Sequence, residues 1–197
     1  MDIIELILDE ENEDQMVGIE AISIVESGAI ESDFIAMSDQ EIKLAKVDDE
    51  KRIVMGAALI PSKPIFRRDG DESYYVYFSE DTVRRSSELF FQNGNQSNAT
   101  LEHQMKANGL TVVESWIIEG EQDKSRIYGL DAPKGTWMIS MKITDDKLWS
   151  EIKEGKKYKG FSIEGFYTSR ANIKKSKEDM SEIESQKKLE EILSLLR

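Results

Sequence analysis

No cysteine occurs among the 197 residues, and His103 is the sole histidine. The first absence excludes a disulfide scaffold, a thiol nucleophile and thiolate metal sites, and it fits a reducing compartment. The second leaves no imidazole set for zinc, and no ladder of Asp and Asn with a turn glycine and a closing Glu supplies a calcium loop. No glycine-rich phosphate-binding pattern occurs either. No apolar run is long enough to span a bilayer, and the N-terminal MDIIELILDEENED is acidic where a signal peptide would be basic. The expectation is a soluble cytoplasmic protein with no cofactor, no metal and no membrane partner.

Charge is present but unevenly spread. Residues 1–50 carry 16 acids and 2 lysines, residues 51–170 carry 17 acids and 18 basic side chains, and residues 171–197 carry 6 of each, within a net charge of −13. An acidic front repels phosphates, so direct nucleic-acid binding is not expected; a solvated acidic face explains it more simply than a dedicated basic partner.

The length suits one domain, or one domain with an appendage. Val17 to Val25 (VGIEAISIV) alternates as a strand and ends at Gly28, and SDQEIKLAKV reads as a short helical or irregular piece with Ser38 as its cap. Arg52 to Ile60 is an apolar run in which Gly56 suggests a bulge or a close backbone approach and which Pro61 stops, and Ser73 to Phe78, Leu110 to Gly120, Gly135 to Ile143 and Gly160 to Thr168 read as strands, from their β-branched and aromatic content. SEDTVRRSSELFFQNG, with Ser79 before two acids and Asn93-Gly94 at its end, reads as a helix. So does DDKLWSEIKEG, with Thr144 as cap, Leu148 and Ile152 on one face and Gly155 as stop.

The fold class expected is α+β, mostly β: an antiparallel sheet closed or nearly closed into a barrel, with helices around it. Residues 1–170 form the barrel domain. Residues 171–197 contain no glycine, proline or aromatic side chain, and Ile183, Leu189, Ile192, Leu193 and Leu196 give them an amphipathic stripe. That charged tail is a helix that docks on the domain or a partner, the start of a coiled coil, or a disordered extension.

The catalytic vocabulary left by this composition is short. Carboxylates are too numerous to point anywhere, which leaves a hydroxyl nucleophile with His103 as its base. Ser162, in KGFSIEGF, has surroundings that suit the role. On a strand it shares a face with Glu164 while Phe161 and Ile163 point the other way, and Gly160 and Gly165 leave room for a substrate backbone or a bend. A mid-strand serine and an exposed loop histidine would leave the same trace.

Five stretches taken together, GIEAISIVESGAIESDFIAMS, TLEHQM, TVVESWIIEG, APKGTWMISMKI and KGFSIEGF, resemble the XkdF-like phage serine proteases over about residues 15–168, in the same order. Those proteins are related to the prohead (procapsid maturation) proteases of tailed phages and, more remotely, to herpesvirus assemblins. The resemblance implies an assemblin-like β-barrel and a serine endopeptidase acting in the host cytoplasm, inside the assembling procapsid, on scaffold and major capsid precursor proteins. It implies Ser162 as nucleophile and His103 as its histidine. Assemblins use a second histidine, which this chain lacks, so an acid takes its place: Glu114, in VES after His103, is the first choice, and Glu164 the alternative. The tail then reads as a scaffold-like segment, a site of self-cleavage or a means of self-association. From a different class, the alternative is an inactive protease-fold scaffolding or structural protein of head assembly.

Overall fold

The computed structural model describes residues 2–11, 17–26, 45–48, 51–154 and 158–171. In chain order the strands and helices are β1 (Ile3–Ile7), β2 (Gly18–Val25), β3 (Ala45–Asp48), β4 (Ile53–Leu59), β5 (Ile65–Asp69), β6 (Glu72–Phe78), α1 (Glu80–Gln92), β7 (Ala99–Leu101), β8 (Met105–Lys106), β9 (Leu110–Ile117), β10 (Trp137–Ile143), α2 (Asp146–Lys153), β11 (Gly160–Phe166) and β12 (Thr168–Ser169). Ser38, Gly28, Gly155 and the amphipathic stripe of the tail lie outside the described residues, and Ala45–Asp48, at the end of the expected helical or irregular piece, is strand. Among the described residues no helix is long and apolar enough to cross a membrane.

The strands among the described residues form three four-stranded sheets, ordered β12-β1-β6-β5, β3-β4-β10-β9 and β11-β2-β7-β8. Among the described residues none of them closes, so the expected barrel, closed or nearly closed, is replaced by an open, sandwich-like packing of sheets. It is not purely antiparallel either: β1 runs parallel to β6, and β2 parallel to β7. Closure needs every strand to be paired on both edges over a useful length. Here the edges fall on strands as short as β3, with four residues, and β8 and β12, with two each. The expected ring of helices is reduced to α1 and α2 among the described residues.

Period-two alternation explains how two cores are built. On β10, Trp137, Ile139, Met141 and Ile143 enter the main core with Ile22, Ile24, Val54, Phe90 and Phe161. Met138, pointing the other way, joins a smaller core with Met55, Ala57, Ile60, Ile118, Leu130 and Ala132. Trp137 is fully buried, stacks edge-on against Phe90 with ring centroids 5.5 Å apart, and donates its indole N–H to Ser115 Oγ at 2.8 Å. Losing such a ring costs about 3–5 kcal/mol.

The helices start where short polar side chains cap them. Ser79 accepts from the Thr82 amide ahead of α1, whose Val83 and Phe90 are buried. At α2 the cap is Asp145, which accepts from the Leu148 amide at 2.7 Å, and not Thr144, whose hydroxyl donates to the Gly109 carbonyl instead. A longer carboxylate one residue closer to the first turn reaches the free amides better.

The buried hydroxyls of Ser125 and Thr136 go against this economy. The Thr136 hydroxyl is fully buried and has no hydrogen-bond partner among the described residues. Thr136→Val removes the desolvated hydroxyl and keeps the branched shape, so it is expected to stabilise the protein by about 1 kcal/mol. A higher denaturant midpoint at unchanged slope is the expected reading; a lower one would mean that the hydroxyl is satisfied.

Candidate active site

The site is built on one face of the sheet β11-β2-β7-β8. Along β11, Phe161 lies in the main core and Ile163 packs against it, which turns Ser162 and Glu164 to the opposite face. The registers then line up Ser162 with Ser23, Ser23 with Thr100, and Thr100 with Lys106. Four polar side chains therefore form a row across the sheet, at strand spacings of about 4.8 Å. Ser23 is fully buried, and Ser162 is 7% exposed.

His103 reaches this face from the turn joining β7 to β8. The Gln104 amide donates to the Leu101 carbonyl at 3.0 Å, and the two central residues, Glu102 and His103, have φ of 50° and 56°. That is the sense of a type I′ turn, where Asn and Gly are the default because other side chains pay about 1–3 kcal/mol for the left-handed region. The chain sets its sole imidazole at such a position and holds it there from β2. The Glu102 amide donates to the Ile24 carbonyl at 3.2 Å, the Glu26 amide to the Glu102 carboxylate at 2.6 Å, and the His103 amide to Ser23 Oγ at 3.0 Å.

The imidazole meets an acid. His103 Nδ1 lies 3.1 Å from Glu164 Oε1, and the Thr100 hydroxyl donates to that same oxygen. An ionised carboxylate only accepts hydrogen bonds, so Nδ1 must carry the proton, and in the neutral ring the lone pair is on Nε2. His103 and Glu164 are partly exposed, by 41% and 30% of their side chains, so this pair stands at the rim of the face while the serines lie beneath it. Among the described residues no hydrogen bond joins Ser162 to His103; such bonds are often long before a substrate tightens them.

Glu114 is elsewhere. It lies on β9, at the edge of the sheet β3-β4-β10-β9, where its carboxylate accepts from Ser140 Oγ at 2.5 Å and from Lys124 Nζ at 2.9 Å. The Ser140 hydroxyl first, and then Lys124, hold its carboxyl below the ordinary carboxylate range, while Arg85 does the same for Glu10. A carboxyl lowered on folding contributes stability above its unfolded range and loses it as the pH falls through the folded value. Stability is therefore expected to decline below about pH 4, and Glu114→Gln should make that decline shallower. The effect is small, because Glu114 is half exposed and water screens the pair. Denaturation midpoints measured across that range check it; an unchanged slope in the variant would mean that Glu114 stays unperturbed.

Of the two glycines around Ser162, Gly165 serves the chain itself. At Gly165 an added Cβ would lie 2.2 Å from the Gly18 carbonyl oxygen, and the register between β11 and β2 shifts between Glu164 and Gly165. This is a bulge at close backbone approach, which bends the strand just past the acid. The sequence alone does not single out Ser23 and Thr100. Their signal is a lone hydroxyl between apolar neighbours, in ISI and ATL, but their meeting with Ser162 depends on strand pairing.

A family model described as "Putative phage serine protease XkdF" matches residues 39–170. The chain belongs to the XkdF family. No curated protein and no solved structure matches it. The XkdF match takes in His103, Glu114, Ser162 and Glu164, and begins after β2, so Ser23 and the polar face of that strand precede it. Among the described residues no three His, Asp or Glu side chains are placed to hold a metal ion. A cavity beside the N-terminal end of α1, lined by Glu80, Arg84, Glu119 and Lys134 among others, is bordered by none of the site residues.

Proposed function

We propose that this chain is a serine endopeptidase of phage head maturation, with Ser162 as nucleophile, His103 as general base and acid, and Glu164 in place of Glu114 as the orienting carboxylate. The observation that carries this reading is the His103–Glu164 contact, on the face that also bears Ser162. Glu164 keeps the proton on Nδ1, and Nε2 takes the Ser162 proton as Oγ bonds to the scissile carbonyl carbon. The imidazolium formed is stabilised by Glu164 and returns its proton to the leaving amine as the C–N bond breaks. Water then adds to the acyl-enzyme by the same route, giving its proton to Nε2, and the serine recovers that proton as the ester bond breaks.

The substrates in this reading are scaffold and major capsid precursor proteins, cut inside the assembling procapsid in the bacterial host. Residues 1–170 carry the chemistry, and residues 171–197 act as a scaffold-like or self-associating extension. The near-burial of Ser162 favours a second reading, a protease fold kept for a structural role in head assembly.

A fluorophosphonate probe separates the two. Labelling of the full chain, localised to Ser162 by mass spectrometry and lost in Ser162→Ala, is the expected result. A chain left unlabelled, or labelled at another serine, would overturn the enzymatic reading.

A further inference from the structure

We infer that Thr100 and Ser23 are positioning residues of this site: Thr100 fixes the tautomer of the His103 ring through Glu164, and Ser23 fixes the height of that ring over the sheet through the His103 backbone. The inference rests on the serine-protease reading above and adds to it two hydroxyls that neither the sequence pattern nor the family match assigns.

Glu164 Oε1 accepts from both His103 Nδ1 and Thr100 Oγ1, so a carboxylate able to rotate about its own bonds is held at that oxygen by a second donor. Thr100 is itself fixed, since it lies in β7 directly beside Ser23 of β2. A carboxylate held at one oxygen keeps that oxygen aimed at Nδ1, and a ring whose Nδ1–H is bound presents the lone pair of Nε2. Without Thr100 the carboxylate is free to turn toward solvent, for it is partly exposed.

Ser23 acts on the backbone. Its Oγ accepts the His103 amide at 3.0 Å and lies 3.4 Å from the Thr100 carbonyl, to which it donates. The turn it holds has two successive side-chain-bearing residues at positive φ, which relax once their anchors go. Because Ser23 is fully buried, its hydroxyl is out of reach of a substrate, which separates its role from that of its neighbour Ser162. The row of hydroxyls from Thr100 through Ser23 to Ser162 thus divides into two that hold the imidazole and one that reacts.

The test uses the full chain and two readouts. Because there is only one histidine, nitrogen-15 labelling of histidine gives a single pair of ring resonances that report the tautomer directly. The second readout is the rate at which a fluorophosphonate labels Ser162. Thr100→Val keeps the β-branched shape and is expected to lower the Nδ1–H tautomer population and to slow labelling by about 10- to 100-fold, the scale of a lost hydrogen bond to a charged group. Thr100→Ser is expected to restore both. Ser23→Ala is expected to slow labelling, with Ser23→Thr recovering part of the rate. If folded Thr100→Val and Ser23→Ala both keep the wild-type tautomer and labelling rate, the inference is wrong while the protease reading stands. If the wild type is not labelled at Ser162, the protease reading fails, and the tautomer signal in Thr100→Val still decides whether Thr100 governs the ring.

Discussion

Ser162→Ala is expected to reduce cleavage of a capsid or scaffold precursor by about six orders of magnitude, to the background set by binding alone, with the fold intact. The side chain lost is a single oxygen on the polar face of β11, away from Phe161 and Ile163, so the core does not register the change. Glu164→Gln should cost roughly four orders of magnitude, the scale on which an orienting acid acts in serine proteases. The amide would present a donor to Nδ1 and favour the tautomer with its proton on Nε2, where no lone pair is left to accept from the serine. Glu114→Gln should leave the rate within about twofold, because its partners are Ser140 and Lys124 on and beside another sheet. Specificity constants on one precursor, with circular dichroism to verify folding, decide the matter. A larger loss in Glu114→Gln than in Glu164→Gln would return the acid to β9, and an active Ser162→Ala would remove the nucleophile altogether.

The contrast between those two glutamates shows what a sequence reveals here. Ser162 and Glu164 stand two apart on a strand, and the period-two rule alone puts them on one face, as the structure has them. Glu114 follows His103 closely along the chain, yet β9 pairs with β10 and β7 with β2, so neighbours in sequence lie in different sheets. Alternation says which way a residue faces and nothing about which strands share a sheet.

The same gap explains the barrel. The long strands β2, β6, β9, β10 and β11 announce themselves by β-branched and aromatic runs, and α1 by Ser79 and its acids. The two-residue strands β8 and β12 carry no period at all, and β1, Ile3–Ile7, begins with adjacent isoleucines that do not alternate. Those elements form or flank the open edges, so whether the sheets close was decided where the sequence is least legible. The left-handed turn at His103 was hidden for another reason: its residues, Glu and His, are not the ones such turns prefer.

Gly165→Ala is expected to destabilise the protein by about 3 kcal/mol and, with it, to dismantle the site. The added carbon would sit 2.2 Å from the Gly18 carbonyl oxygen, 2.8 Å from Ile19 Cα and 2.9 Å from the Gly18 carbonyl carbon, all of them backbone atoms of the strand paired with β11. A side chain in the way can change rotamer, but these atoms can yield only if β2 and β11 part. That pair carries Ser23 on one strand and Ser162 with Glu164 on the other, so separation pulls the carboxylate off Nδ1 as it breaks the ladder. Gly120→Ala is the control: an added carbon there meets nothing within 4 Å, and the smaller entropy of the unfolded chain should raise stability by about 0.5 kcal/mol. Denaturant midpoints for the two variants should therefore move in opposite directions, and Gly165→Ala should lose fluorophosphonate labelling of Ser162 under conditions where Gly120→Ala keeps it. Equal midpoints would mean that the bulge tolerates a side chain, and that the glycine beside the acid was not needed for the two strands to meet.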